Sequence, residues 1–323
     1  MTPLVDSFGR RIDYLRLSVT DRCNLRCTYC MPERMQFMPR ADLLSIEELG
    51  AVAEAFIARG VTRIRLTGGE PLVRGGIMEL VRRIAPQVDE LTLTTNAMLL
   101  ADHADALFAA GVRRINVSLD TLDRDRFTRI ARRDGLAQAL DGIAAAQAAG
   151  LAVKLNAVAL KGENEAEIPA LVEWAHARGM ELTLIEVMPL GETGHDRIDQ
   201  YLPLTAVREA LERRWTLSPL AKRTGGPARY VHVAQTGGTL GFITPLTGNF
   251  CAGCNRVRVD ATGKLHACLG NAESLDLRGA LRSGRLDAAL DEAMRIKPER
   301  HHFAITARGQ APALPRTMSA TGG

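Results

Sequence analysis

The sequence predicts an α/β fold: a partial six-stranded (βα)6 barrel with a smaller region after it. Three observations carry that expectation. Apolar, β-branched runs alternate with helical stretches up to about Trp215. Four of those helical stretches end in glycine, at Gly60, Gly111, Gly150 and Gly179, and each is followed at once by an apolar run. A chain of 323 residues exceeds one ordinary core but suits one barrel plus an appendage.

In order, strands are expected over 13–19, 61–67, 90–95, 112–119, 151–160 and 180–188. The first helix starts at a capping box, Ser45 to Glu48. Its apolar positions Leu49, Val52, Ala53, Phe56 and Ile57 share one face. Six strands alternating with helices imply right-handed βαβ units and a parallel sheet. A doubly wound open sheet is the alternative, because strand order cannot be read from the sequence. In either fold the active rim lies beyond the C-terminal strand ends. That rim carries Thr20-Asp21-Arg22-Cys23, Thr67-Gly68-Gly69-Glu70-Pro71, Thr94-Thr95-Asn96, Ser118-Leu119-Asp120 and Glu186-Val187-Met188-Pro189. Gly68-Gly69 permits close backbone approach to a ligand.

Three strands place a cation between apolar neighbours: Arg16, Arg65 and Lys154. Such a side chain points to the opposite face from its neighbours. It either snorkels from an outer face or enters a lumen, where it needs a counter-ion such as a polyphosphate. No Walker-type loop is present, so any phosphate would rest on side chains. After Trp215 the alternation stops, and 222–228 reads as a linker. The expected division is therefore 1–221 and 222–323. Short β-like pieces follow at 230–233, 239–244 and 256–259, and Arg256 and Arg258 point the same way as an anion clamp or as exposed edge cations. By composition the tail, 315–323, reads as disordered.

Hydrophobic residues at 46% and charged residues at 24% exclude wholesale disorder. No 18-residue uncharged apolar run or secretory signal is visible, so a cytoplasmic protein with no membrane partner is expected. A net charge of +4 is too weak to argue for a nucleic-acid polymer.

All six cysteines fall in two triads: Cys23, Cys27 and Cys30, then Cys251, Cys254 and Cys268. In a reducing compartment clustered thiols favour metal or catalytic roles over disulfides. Structural zinc takes four ligands, and the first histidine is His103, so the first triad has no local imidazole. A four-iron cube held by three cysteines would keep one iron open to a small molecule. Zinc stays open for both: the first triad could borrow a distant ligand, and His266 could complete a Cys3His site in the second.

Cys23-Asn-Leu-Arg-Cys27-Thr-Tyr-Cys30 with Gly68-Gly69-Glu70-Pro71 resembles the radical S-adenosylmethionine (SAM) superfamily. More closely, the chain resembles the MoaA family of GTP 3′,8-cyclases, which act in molybdenum cofactor biosynthesis. The matching segments include Asp6-Ser-Phe-Gly-Arg10, Ile115-Asn-Val-Ser-Leu-Asp120, Val153-Lys-Leu-Asn156, Cys251-x2-Cys254-Asn-Arg-Val-Arg258, Gly263-Lys-Leu-His-x-Cys268 and the terminal Gly322-Gly323. Ala97 stands where that family often has glycine, and Thr321 where a bulky apolar residue is common.

The resemblance implies a radical-SAM barrel whose C-terminal region carries a second cluster. Cys23, Cys27 and Cys30 would hold one [4Fe–4S] cluster, and Cys251, Cys254 and Cys268 another. Tyr29, Gly69, Ser118 and Met188 would bind SAM. Arg16, Arg65, Thr94, Lys154, Arg256, Val257 and Arg258 would bind GTP. Arg256, Arg258, Gly322 and Gly323 would serve catalysis, the tail reaching the active site. A radical derived from SAM would take hydrogen from C3′ of GTP, and C3′ would then bond to C8. Implied partners are a reductase or flavodoxin-type electron donor and a downstream cyclic pyranopterin monophosphate synthase, with the protein a monomer or homodimer. The alternatives are another radical SAM enzyme with an auxiliary cluster, such as a peptide-modifying maturase, or a zinc-stabilised binding protein without catalysis.

Overall fold

The computed structural model describes residues 2–322. Its centre is six parallel strands in sequential spatial order: β1 (Tyr14–Ser18), β2 (Arg63–Thr67), β3 (Glu90–Thr95), β4 (Arg114–Ser118), β5 (Ala152–Ala159) and β6 (Glu181–Glu186). A doubly wound sheet would reverse its strand order part-way. The unbroken one-to-six order excludes that alternative and leaves the partial barrel.

Helices cover the outer face. They are α1 (Ile46–Ala58), α2 (Ile77–Ile84), α3 (Ala104–Ala109), α4 (Arg124–Ala131), α5 (Leu136–Ala148) and α6 (Ile168–His176). The α1 capping box forms on both sides, with Glu48 N–H donating to Ser45 Oγ at 3.1 Å and Ser45 N–H to Glu48 Oε2 at 2.9 Å. Gly60, Gly111, Gly150 and Gly179 follow α1, α3, α5 and α6 and all have positive φ, so each closes its helix in the left-handed conformation. Leu15, Leu17, Ile64, Leu66, Ile115, Val117, Leu155 and Leu182 point outward and are buried under this helical layer. The apolar core therefore lies between sheet and helices. By the two-residue period the polar strand positions are left facing inward.

The C-terminal part extends the same sheet at both edges. After α7 (Arg197–Gln200) and α8 (Leu204–Glu212) come β7 (Leu217–Leu220), β8 (Arg229–Val233) and β9 (Gly238–Ile243), with β9 parallel to β6. The chain then crosses to the other edge, where β10 (Arg256–Val259) pairs parallel with β1. A meander follows through β11 (Lys264–His266) and β12 (Leu275–Asp276), then α9 (Leu277–Arg282), α10 (Leu286–Ile296) and α11 (Met318–Thr321). The 230–233, 239–244 and 256–259 expectations match β8, β9 and β10 to within a residue; β7, β11 and β12 had no clear sequence signal.

Two expectations are corrected. Segment 222–228 is more than a linker. Thr224, Gly226, Pro227 and Ala228 line the central cavity, and Gly225 packs against Arg63 and the Tyr14 ring, closing the lumen below β1 and β2. The tail is ordered through Gly322, because α11 buries Ser319 and Thr321 and Gly322 O accepts from Arg258 Nη1. Composition misread it: small residues are what fits against the crowded strand β2, where a Cβ on Gly322 would meet Thr67.

Candidate active site

One cavity runs along the inner face of the sheet, and both cysteine triads line it. The first triad occupies the loop between β1 and α1. Cys30 N–H and Met31 N–H both donate to Cys27 O, at 2.9 and 3.2 Å, coiling the loop around the thiols. Gly69 N–H donates to Thr20 O and Glu70 N–H to Arg22 O, both at 2.8 Å, which fixes the loop to the end of β2. A Cβ on Gly68 would fall 2.2 Å from Thr20 O, and one on Gly69 2.3 Å from Arg22 O. The paired glycines are thus required by backbone-to-backbone contact beneath the cysteine loop, and both also line the cavity.

Glu70 is buried and accepts from Leu72 N–H, Thr95 Oγ1 and Asn96 N–H at 2.7–3.0 Å. Burial lifts its carboxyl to about 7 against the pull of those bonds. Asp120 accepts from Tyr29 Oη and Val158 N–H, each at 2.8 Å, and burial lifts it to about 6. Ala97 closes this rim with φ +64°, a left-handed conformation that glycine adopts without strain. That is the physical content of the Ala-for-Gly departure.

The second triad lies on the loop before β10 and just after β11. Cys251 O accepts from Arg10 Nη1 at 2.9 Å, and Arg10 is held by Asp6 at 2.6 Å. Arg316 donates to Cys268 O, Leu269 O and Asn271 O at 2.5–3.2 Å. His266 is the cross-strand partner of Arg258, and its Nε2 is 2.9 Å from Asp260 Oδ2. Its Nδ1 is buried without a partner. Among the described residues no three or more His, Cys, Asp and Glu side chains are grouped to hold a single metal ion, so the Cys3His arrangement is not formed.

Between the triads the lumen is cationic. Arg16 on β1 is in register with Arg65 on β2 and with Arg258 on β10. Three guanidinium side chains thus sit at one level of three adjacent strands, where like charges oppose one another. Arg16, Arg65 and Lys154 are 7%, 8% and 6% exposed, which excludes the snorkelling outer-face reading. Burial and then Arg65 bring Arg16 down to about 10; burial brings Lys154 down to about 7. Arg258 is pushed well below the usual range by burial and by Arg16 and Arg256. Arg16 Nε, Arg65 Nε and Thr94 Oγ1 are buried without a partner. Such a cluster is costly unless an anion fills it.

Tyr29, Gly69, Ser118 and Met188 line the cavity, as do Thr94, Arg256 and Val257. Gly322 approaches through its carbonyl on Arg258, while Gly323 lies outside the described residues. Ser319 of the tail also hydrogen bonds through its backbone to Cys30, so one short segment touches the first triad and Arg258. Sequence reasoning missed Arg114, Asn116, Thr183 and Tyr230, which line the same lumen. Arg114 escaped because its neighbour Arg113 is charged, hiding the alternation; Asn116, between Ile115 and Val117, would have been found had the rule covered uncharged polar residues.

Residues 17–175 match the Radical SAM superfamily and residues 180–303 match Molybdenum Cofactor Synthesis C. A GTP 3′,8-cyclase of Erythrobacter litoralis (strain HTCC2594) is 65% identical over 99% of this chain and 98% of its own length. The chain belongs to the GTP 3′,8-cyclase family. A family member from Rhodopseudomonas palustris (strain TIE-1) is 58% identical over 99% of this chain and 96% of its own. Among solved structures, SuiB of Streptococcus suis bound to S-adenosylmethionine covers 90% of this chain and 69% of its own with a TM-score of 0.67. At 16% identity that likeness is one of fold: the family shares the radical SAM barrel. No helix among the described residues is long and apolar enough to cross a membrane.

Proposed function

We propose that this chain converts GTP to 3′,8-cyclo-7,8-dihydro-GTP, the first step of molybdenum cofactor biosynthesis, using two [4Fe–4S] clusters and SAM. The observation that carries the reading is two triads of free thiols on one cavity whose wall between them is lined with unneutralised cations. The donor sets fit the clusters: each triad offers three sulfurs and leaves a fourth iron for a ligand in the cavity. Cys23, Cys27 and Cys30 would hold the first cluster, which when bound would supply the one-electron chemistry for cleaving SAM and starting a radical reaction on the substrate.

The chain's own residues bind, orient and shield. Cys23, Cys27 and Cys30 hold the first cluster. Tyr29, Gly69, Ser118 and Met188 surround SAM, with the Asp120 carboxyl on the same wall of the cavity. Arg16, Arg65, Thr94 and Lys154 take the triphosphate, whose oxygens would satisfy the unpartnered Arg16 Nε, Arg65 Nε and Thr94 Oγ1. Arg256, Val257 and Arg258 hold the nucleoside beside the second cluster on Cys251, Cys254 and Cys268. The tail through Gly322 closes the site against solvent, which a radical requires, and Gly322 and Gly323 serve catalysis. Positioning C3′ against the hydrogen acceptor and C8 is the protein's main contribution.

In this reading 1–221 serves the SAM end and 222–323 the purine end, on one shared sheet. A reductase or flavodoxin-type donor would supply the electron in the cytoplasm, and a cyclic pyranopterin monophosphate synthase would consume the product. The test is anaerobic reconstitution with iron and sulfide counted, then reduction with SAM and GTP. A cyclised nucleotide detected by mass is expected. Fully loaded clusters that cleave SAM yet leave GTP unchanged would overturn the proposal.

A further inference from the structure

Lys297 is the first residue past α10 and precedes Pro298, and it is 2% exposed. A buried ammonium is expensive unless paired, and it has three protons to donate. All three are accounted for. Nζ lies 3.0 Å from Arg256 O, 2.7 Å from Ala267 O and 3.6 Å from Cys254 Sγ, and none of these acceptors is a carboxylate. Arg256 lies two residues after Cys254, and Ala267 immediately precedes Cys268. The ammonium therefore ties together the two arms that carry the second triad, with the Cys254 sulfur as its only anionic partner.

We infer that Lys297 is a positioning residue for the second cluster: it fixes the spacing of Cys254 and Cys268 and sets the cluster's redox balance through its charge. The inference rests on the cluster assignment above. Adding one electron to a cluster makes it more negative by one charge. A fixed cation 3.6 Å from a ligating sulfur favours that form, as do hydrogen bonds to cluster sulfurs generally. Among the described residues no lysine ammonium is within hydrogen-bond distance of a first-triad sulfur; the cations near that loop, Arg26 and Arg197, bond its carbonyls instead.

The test uses holoenzyme with both clusters loaded, in the wild type and in Lys297→Gln and Lys297→Arg. Glutamine keeps a donor for the carbonyls and loses the charge; arginine keeps the charge. Iron and sulfide are counted, and each cluster's midpoint potential is read by EPR in a dithionite titration, the second signal being assigned by its loss in Cys268→Ser. Lys297→Gln should lower the second cluster's reduction constant at least tenfold, which is about 59 mV for one electron. Its first cluster should not move, and Lys297→Arg should stay near wild type. A Gln variant that folds but fails to load the second cluster, while Arg loads it, would equally support the charge role. Equal potentials in wild type and Gln, or loss of the cluster in both variants, would overturn it. Wild type holding only one cluster's iron would instead remove the assignment on which the inference rests.

Discussion

The two triads carry the same number of thiols but are built differently. The first is local, three half-buried cysteines within one loop, beside Glu70 and Asp120 and held through its carbonyls by Arg26, Arg132, Arg133 and Arg197. The second is assembled from two loops and clamped by three distant cations, Arg10, Lys297 and Arg316. The Asp120 carboxyl lines the cavity at the first triad's end, and Arg256 and Arg258 line it at the second's. The difference teaches that equal ligand count does not make equal centres: one loop presents the first triad, whereas two loops tied by Lys297 present the second.

The largest effect that would break this comparison is loss of one centre without the other. Cys268→Ser should drop iron from about eight to about four per chain and abolish cyclisation while SAM cleavage at the first cluster persists. Normal cyclisation in that variant would mean that the two ends do not divide the work. Next, removing Gly322 and Gly323 should leave the melting temperature within a few degrees and eliminate cyclised product, because Arg258 loses the carbonyl that orients it. A fully active truncated chain would show that the tail is a packing element only.

A smaller effect sharpens the comparison by separating stability from function. Lys154 sits near 7 when folded, because of burial, and near its ordinary 10.5 when unfolded. Between those values the unfolded chain holds a proton that the folded chain lacks, so stability without GTP should rise with pH across that window. Lys154→Met should flatten this rise and stabilise the GTP-free protein at pH 6.5. The same change should weaken GTP binding roughly tenfold or more, the scale of one charge-assisted hydrogen bond. In the wild type, GTP affinity should fall as pH climbs past 7. Denaturant melts at pH 6.5 and 9, paired with GTP titrations, read both signs; equal slopes in wild type and variant would place the charge elsewhere.

Much of this was legible in the sequence because its signals are local. Alternation around Arg16, Arg65 and Lys154, glycines after helices, the Ser45 capping box and the thiol spacings all act over a few residues. They determined the six βα units, the two triads and the polar rim. What only the tertiary structure decided concerns contacts between distant residues. Arg16, Arg65 and Arg258 share one level because β10 adds parallel to β1 in one register, and a one-residue slip would turn Arg258 to the other face. Lys297 reaches Cys254, and Gly322 reaches Arg258, across the fold. The sequence holds no periodic mark of either contact, since each depends on where separate strands and helices end in space.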